Sequence, residues 1–298
     1  MTLLSKIRVG LLSTLILSTT FTALPAQAEP TPPAPTPSIR AGDLIAFDTD
    51  GKLWDYRPSG ETTWSRHQIG SGWNVMRDLK TVDWNQDYIE DIIAVGKNGD
   101  LHLYLGKREG GFIRTTIGTG WGSYDISVGQ WKVSDEYPSI IAVNLDTEIL
   151  YNYPNLSGGA LSPRVIEGRG WSRSLQHQLL DYDFDGKADI LAQQSATGKL
   201  LRYRTDGNGN FINEPRPVVG TGWSVMNEVA AYSGYQGDGL ICNCPTQITH
   251  PGLLARTHDG ILYYYGLWDG KWSTPDRIGT GWNGYTFAGS ESPRRFSY

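Results

Sequence analysis

The chain has 298 residues, a formal net charge of −5, 36 glycines and only two cysteines. An acidic chain without a Lys/Arg run offers no field for nucleic acid or anionic lipid, so neither is expected as a partner. Abundant glycine beside 11% aromatic residues suits many short strands joined by tight turns and argues against a helical bundle.

The first 28 residues read as a secretory signal peptide. Lys6 and Arg8 give a basic start, an apolar run follows from Val9 to Leu24, and Ala26-Gln27-Ala28 is a small-residue cleavage site. The competing reading is an uncleaved anchor, but the run contains Ser and Thr and is short for a bilayer core. Glu29, not Cys, follows the cleavage site, so no lipid anchor is indicated, and no later stretch is apolar enough to span a membrane. Residues 29–39 form a Pro/Thr-rich tether, and residues 40–298 are expected to make one domain. Cleavage removes two positive charges and no negative ones, taking −5 to −7. The protein is therefore expected outside the cell.

From Leu44 onward the chain repeats itself. An aliphatic segment opens each copy: Leu44-Ile45-Ala46, Ile92-Ile93-Ala94, Ile140-Ile141-Ala142, Ile190-Leu191-Ala192 and Leu253-Leu254-Ala255. A segment of the form G-x-L-x-x-Y follows at Gly51, Gly99, Gly198 and Gly260, with Glu148 replacing the glycine in the third copy. Each copy then ends in a Gly-x-Gly-Trp corner at Trp73, Trp121, Trp171, Trp223 and Trp282. The third, I-E-G-R-G-W, reads as a drifted version of I-G-x-G-W. From the leucine of the second segment to its tryptophan is 20, 20, 21, 23 and 20 residues. From each tryptophan to the next Ala is 21, 21, 21 and then 32 residues.

Four short strands in about 50 residues match one propeller blade, so the fold class is all-β: a five-bladed β-propeller of four-stranded blades. The first copy lacks the strand that precedes its equivalents, and Tyr285-Thr286-Phe287-Ala288 has no later copy to start. The C-terminal strand is therefore expected to complete the first blade and close the ring, in a monomer. No sustained 3.6-residue period is present, so little helix is expected. The extra residues at the fourth junction hold Cys242 and Cys244 and read as a loop. A bridge between them suits an oxidising compartment, though one intervening residue strains such a ring. Two cysteines alone are too few for a structural zinc site.

Two loops carry candidate metal ligands. In Asp181-Tyr-Asp183-Phe-Asp185-Gly-Lys187-Ala-Asp189, three carboxylates at alternate positions, the carbonyl of Lys187 and a final acid can wrap Ca2+, with Gly186 permitting the turn. Asp83, Asn85, Asp87, Ile89 and Asp91 repeat that spacing two junctions earlier but have Tyr88 where the glycine stands. An Asp/Asn-rich turn without metal is the alternative for both. In either case the loop would pin two blades together.

The I-G-x-G-W corner with G-x-L-x-x-Y resembles the tachylectin repeat, and D-x-D-x-D-G-x-x-D is similar to FG-GAP/VCBS-type repeats of secreted bacterial proteins. Together the resemblances span roughly residues 40–290. The tachylectin resemblance implies a five-bladed lectin with sugar pockets near Trp73, Trp121, Trp171, Trp223 and Trp282. The tryptophans themselves have two readings: wedges between blades, or faces on which a sugar stacks.

Nothing resembles a G-x-S-x-G elbow or an H-E-x-x-H helix, and the five histidines (His67, His102, His177, His250 and His258) occupy unmatched positions, most of them expected on exposed strands or loops. A propeller glycosidase would need non-equivalent acids round one central funnel. The acids are expected mainly in the calcium-type loops and on the surface. The favoured function is thus a non-catalytic carbohydrate-binding propeller engaging glycans or cell-surface polysaccharide through several weak sites. An adhesion scaffold that binds an extracellular protein through one specialised face is the alternative, and a glycosidase the third.

Overall fold

The structure is a computed structural model that describes residues 37–58, 63–173, 175–233, 251–268 and 270–290. Residues 1–36 and Cys242 and Cys244 lie outside the described residues, so the signal peptide and the cysteine bridge have no structural account. Ile39, at the end of the Pro-rich stretch, is 3% exposed and packs into the first blade's core.

Five antiparallel sheets follow one another along the chain. The first blade contains β1 (Leu44–Phe47), β2 (Leu53–Pro58) and β3 (Trp64–Gly70). The second contains β4 (Met76–Val82), β5 (Asp91–Gly96), β6 (Leu101–Gly106) and β7 (Phe112–Gly118). The third contains β8 (Tyr124–Gly129), β9 (Ser139–Asn144), β10 (Ile149–Tyr153) and β11 (Val165–Arg169). The fourth contains β12 (Leu175–Leu180), β13 (Asp189–Gln194), β14 (Lys199–Tyr203) and β15 (Val218–Gly220).

In the fifth blade β16 (Met226–Ser233), β17 (Pro251–Thr257) and β18 (Leu262–Trp268) are long. Its outer edge is split between β19 (Lys271–Trp272) and β20 (Asp276–Gly279), both paired with β18. β16 pairs directly with β17, so the cysteine-bearing insertion between them displaces no strand.

The ring closes as the repeat count requires. β21 (Thr286–Phe287) pairs antiparallel with β1 and supplies the first blade's missing innermost strand. The chain then continues into β22 (Gly289–Ser290), which runs parallel to β4 of the second blade, a contact without a sequence signal. Each aliphatic strand is the second of its blade, covered on both faces by neighbouring blades. This is why it reads as a continuous apolar run. Its alanine (Ala46, Ala94, Ala142, Ala192, Ala255) is 0% exposed in every blade. The outer strands are wetter, as the mostly exposed β7 shows.

The Gly-x-Gly-Trp corner has one geometry throughout. A Cβ on its first glycine would lie 2.4–2.7 Å from the indole Nε1, so only glycine lets the ring fold back on its own strand. The second glycine sits at φ +78 to +82 with open space around it, so its requirement is conformational. The backbone N–H of Trp73 donates to the carbonyl of Gly51, and Trp121, Trp171, Trp223 and Trp282 repeat this bond to residues 99, 148, 198 and 260.

The third corner is not drifted in register. A bulge precedes each corner: Leu53 faces Gly70 while Trp54 faces Gln68, leaving Ile69 extra. In the third blade Leu150 faces Gly168 and Tyr151 faces Ile166, so the extra residue is Glu167. The copy is a clean Gly-x-Gly-Trp in which a glutamate has replaced the aliphatic bulge residue.

The innermost strands hold acids that were expected in loops or at the surface. Asp125 on β8 accepts from His177 Nδ1 on β12 at 2.8 Å, and also from the backbone N–H of His177. Glu228 on β16 accepts from the backbone N–H of Phe287 and pairs with Arg256 at 2.8 Å. Gln178 accepts the N–H of Ala231 in the same way. The innermost strand of a blade is a sheet edge with unpaired N–H groups, and a side chain from the preceding blade satisfies them. The expectation of exposed histidines also needs correction. Among the described histidines, His67 and His258 are exposed, but His177 is 0% and His102 4% exposed, the first bonded to Asp125 and the second facing Thr116 Oγ1.

Glu148 holds φ +55 where the other four copies have glycine, and the left-handed conformation costs a non-glycine residue about 1 kcal/mol. Glu148→Gly should raise stability by about that amount in denaturant unfolding, despite glycine's looser unfolded state. Burial lifts the Glu228 carboxyl to about 7, against the pull of Arg256, and lifts Asp43 to about 6. A carboxyl raised on folding contributes stability that is full below its unfolded pKa and lost as pH rises through the folded value. The melting temperature should therefore fall between pH 5 and pH 8, and Glu228→Gln should flatten that slope.

Candidate functional site

Four of the five corner indoles are inside the protein. Trp73, Trp121, Trp171 and Trp223 are 4–5% exposed, and Trp282 is half-buried. Each stacks on the tyrosine of the next blade's G-x-L-x-x-Y segment. Trp73 lies 4.6 Å from Tyr104, Trp121 4.6 Å from Tyr153, Trp171 4.7 Å from Tyr203 and Trp223 4.7 Å from Tyr265. Trp282 closes the circle on Tyr56 at 5.0 Å. The indole faces are thus occupied by protein, and any ligand near a corner meets the groove beside it.

Such a groove opens between the fourth and fifth blades, with a volume of about 600 Å3. Tyr182, Arg202 and the β15 residues Val218 and Val219 form one wall, and Lys271 and Trp272 form the other. Trp272 is fixed by its Nε1 donating to the Val219 carbonyl at 2.8 Å, and it meets Tyr182 edge-on at 5.6 Å. The Arg202 guanidinium lies over the Tyr182 ring at 5.3 Å. Aromatic surface flanked by two cations in an open cleft can cover an apolar sugar face and donate hydrogen bonds to hydroxyls or acidic groups. Arg202, Lys271 and Trp272 carried no signal in the repeat, because they stand at positions where the copies differ.

The two acidic loops share one backbone. Residues 86 and 88 of the earlier loop have φ +63 and +67, and Phe184 and Gly186 of the later one have φ +60 and +84. Tyr88 therefore takes the conformation that glycine takes in its counterpart. In both loops the first carboxylate accepts two backbone N–H groups, from Asp87 and Tyr88 to Asp83 and from Asp185 and Gly186 to Asp181.

Their remaining oxygens differ. Asp91 accepts from the N–H groups of Trp84 and Gly106, Asn85 donates to Asp87, and Ile89 N–H also donates to Asp87. That loop is closed by its own hydrogen bonds. In the later loop the carboxylate oxygens of Asp181, Asp183 and Asp185 lie within 4.8 Å of one another. Asp183 Oδ1 and Asp189 Oδ2 are buried without a partner, while Asp183 Oδ2 faces Arg202 and Arg204 at 3.2 Å and Lys187 Nζ donates to Asp185 at 3.0 Å. Burial first, then the charge of Asp183, lifts Asp189 to about 7. Two orphaned oxygens and three clustered carboxylates suit a hard cation, so the later donor set fits Ca2+.

No family model matches the chain, and no curated protein matches it. Among solved structures it is similar to the six-bladed fucose-recognising lectin of Aleuria aurantia, at 16% identity over 81% of this chain and 77% of that one, with a TM-score of 0.46. It is also similar to AofleA from Arthrobotrys oligospora, at 12% identity over 88% and 78% of the two chains, with a TM-score of 0.49.

Proposed function

We propose that the chain is a secreted, monomeric, non-catalytic propeller that binds carbohydrate through weak sites beside its corners. The observation that carries the reading is the groove of Tyr182, Arg202, Lys271 and Trp272, which offers aromatic surface and hydrogen-bond donors in an open cleft. Shallow clefts of this kind bind single sugars weakly, and affinity then comes from engaging a multivalent glycan or cell-surface polysaccharide. The central acids support a non-catalytic role: Asp125 and Glu228 are committed to His177, Arg256 and edge N–H groups. Calcium belongs to the same proposal. Asp181, Asp183, Asp185, Asp189 and the carbonyl of Lys187 would hold it, and its part is to pin the loop from which Tyr182 reaches the groove.

A glycan array should give signal with multivalent ligands, and Trp272→Ala or Arg202→Ala should lower binding about tenfold, the loss of one well-made contact. Silence across the array would sink the carbohydrate reading and leave an extracellular protein ligand in its place. Calorimetric titration after chelation should show Ca2+ binding with a rise in melting temperature, both lost in Asp183→Asn. No heat and no rise would remove calcium.

A further inference from the structure

We infer that the first and third blades each carry a guanidinium site for the carboxylate of an acidic sugar, built from Arg66 with Tyr56 and Tyr285 and from Arg164 with Tyr153 and Tyr124. Arginine stands seven residues before the corner tryptophan in four copies, at Arg66, Arg114, Arg164 and Arg216. Only two corners are followed by a tyrosine three residues on, Tyr285 after Trp282 and Tyr124 after Trp121, and these lead into the first and third blades.

The two blades place the groups alike. Tyr56 faces Arg66 across the β2–β3 ladder, and Tyr285 lies one residue before β21. In the third blade Tyr153 ends β10, Arg164 lies one residue before β11, and Tyr124 begins β8. Arg164 Nη1 donates to the Tyr124 hydroxyl at 2.9 Å and to the Tyr153 hydroxyl at 3.3 Å, while the guanidinium covers the Tyr151 ring at 4.3 Å. Arg66 takes Tyr56 and Tyr285 as partners and covers the ring of Trp54, the counterpart of Tyr151, at 4.1 Å.

Both arginines are exposed and keep their charge. Arg57, Arg202 and Arg256 pair with Asp55, Asp183 and Glu228, whereas Arg66 and Arg164 form no ion pair among the described residues. Burial pushes the Tyr56 and Tyr153 hydroxyls up to about 12, so these phenols stay neutral beside the cation. In Arg164 a ring fixes one face and two phenols hold one edge. Its Nε and second amino group carry no hydrogen bond among the described residues. A guanidinium fork held in that way matches the two oxygens of a carboxylate.

The half-buried rings of Tyr56 and Tyr153 offer apolar surface to a pyranose beside the charge. One exposed ion pair binds weakly. The same site built twice suits a ligand that repeats its carboxylate, a polyuronate. The sugar identity rests on the carbohydrate reading, but the residues are separate from the groove between the fourth and fifth blades.

The test is affinity electrophoresis of the full chain, in chelator, through gels holding polygalacturonate, alginate, methyl-esterified polygalacturonate or polyglutamate. Retardation by both free uronates is expected. Affinity should fall about tenfold with the ester, and about tenfold again in Arg66→Gln and in Arg164→Gln, each the loss of a charge-assisted contact. Melting temperature and any binding of neutral glycans should not change in these variants. Should a variant fail to fold, the comparison of acid with ester in the unmodified protein decides. No retardation by either uronate, equal retardation by acid and ester, an unaffected double variant, or equal binding of polyglutamate would overturn the inference. The groove reading is judged apart from it, by neutral glycans and Trp272→Ala. Arginine-dependent retardation by uronates with silence toward neutral glycans would uphold these sites and sink the groove.

Discussion

One contact recurs between every pair of neighbouring blades, the corner indole laid against the following blade's tyrosine at 4.6–5.0 Å. An aromatic pair adds about 0.5–1.5 kcal/mol beyond the area it buries, but its larger effect is geometric. The first glycine of the corner sets how far the ring folds back, the second turns the chain, and the Trp N–H to carbonyl bond anchors the corner to its own blade. With those constraints repeated, each blade meets the next in the same way, and the fifth such contact returns the chain to its start, where Trp282 meets Tyr56.

This explains why the architecture could be read from the chain alone. A constraint that recurs in every blade leaves the same residues at the same spacing, so blade number, strand order and the closing strand were all visible in the positions of glycine, leucine, tyrosine and tryptophan. The split outer edge of the fifth blade and the parallel strand β22 were hidden because each occurs once. The buried histidines were hidden for another reason. His102 and His177 are polar residues on strands whose partners come from elsewhere in the chain, at Thr116 and Asp125, and no local pattern reports such a partner.

The candidate site was legible only in outline. The corners indicated where junctions lie, but their indoles face protein, and the groove is built from Arg202, Lys271 and Trp272, which no repeat position predicts. The junctions between blades differ in character. The one between the second and third blades is apolar at Leu103 and Ile117, the next has the polar Asn152 and Glu167 at the corresponding positions, and that between the fourth and fifth lines an open groove with cations and aromatic rings. Equivalent backbone with unequal side chains lets one scaffold carry different chemistry at each seam.

The closing strand has a further consequence. Because Thr286 and Phe287 complete the sheet begun at Leu44, the first blade to leave the ribosome is the last to be finished. Until the final residues arrive, β1 presents an open edge, and the four later blades can assemble only into an arc. A lesion near the C-terminus therefore damages the beginning of the fold as directly as its end.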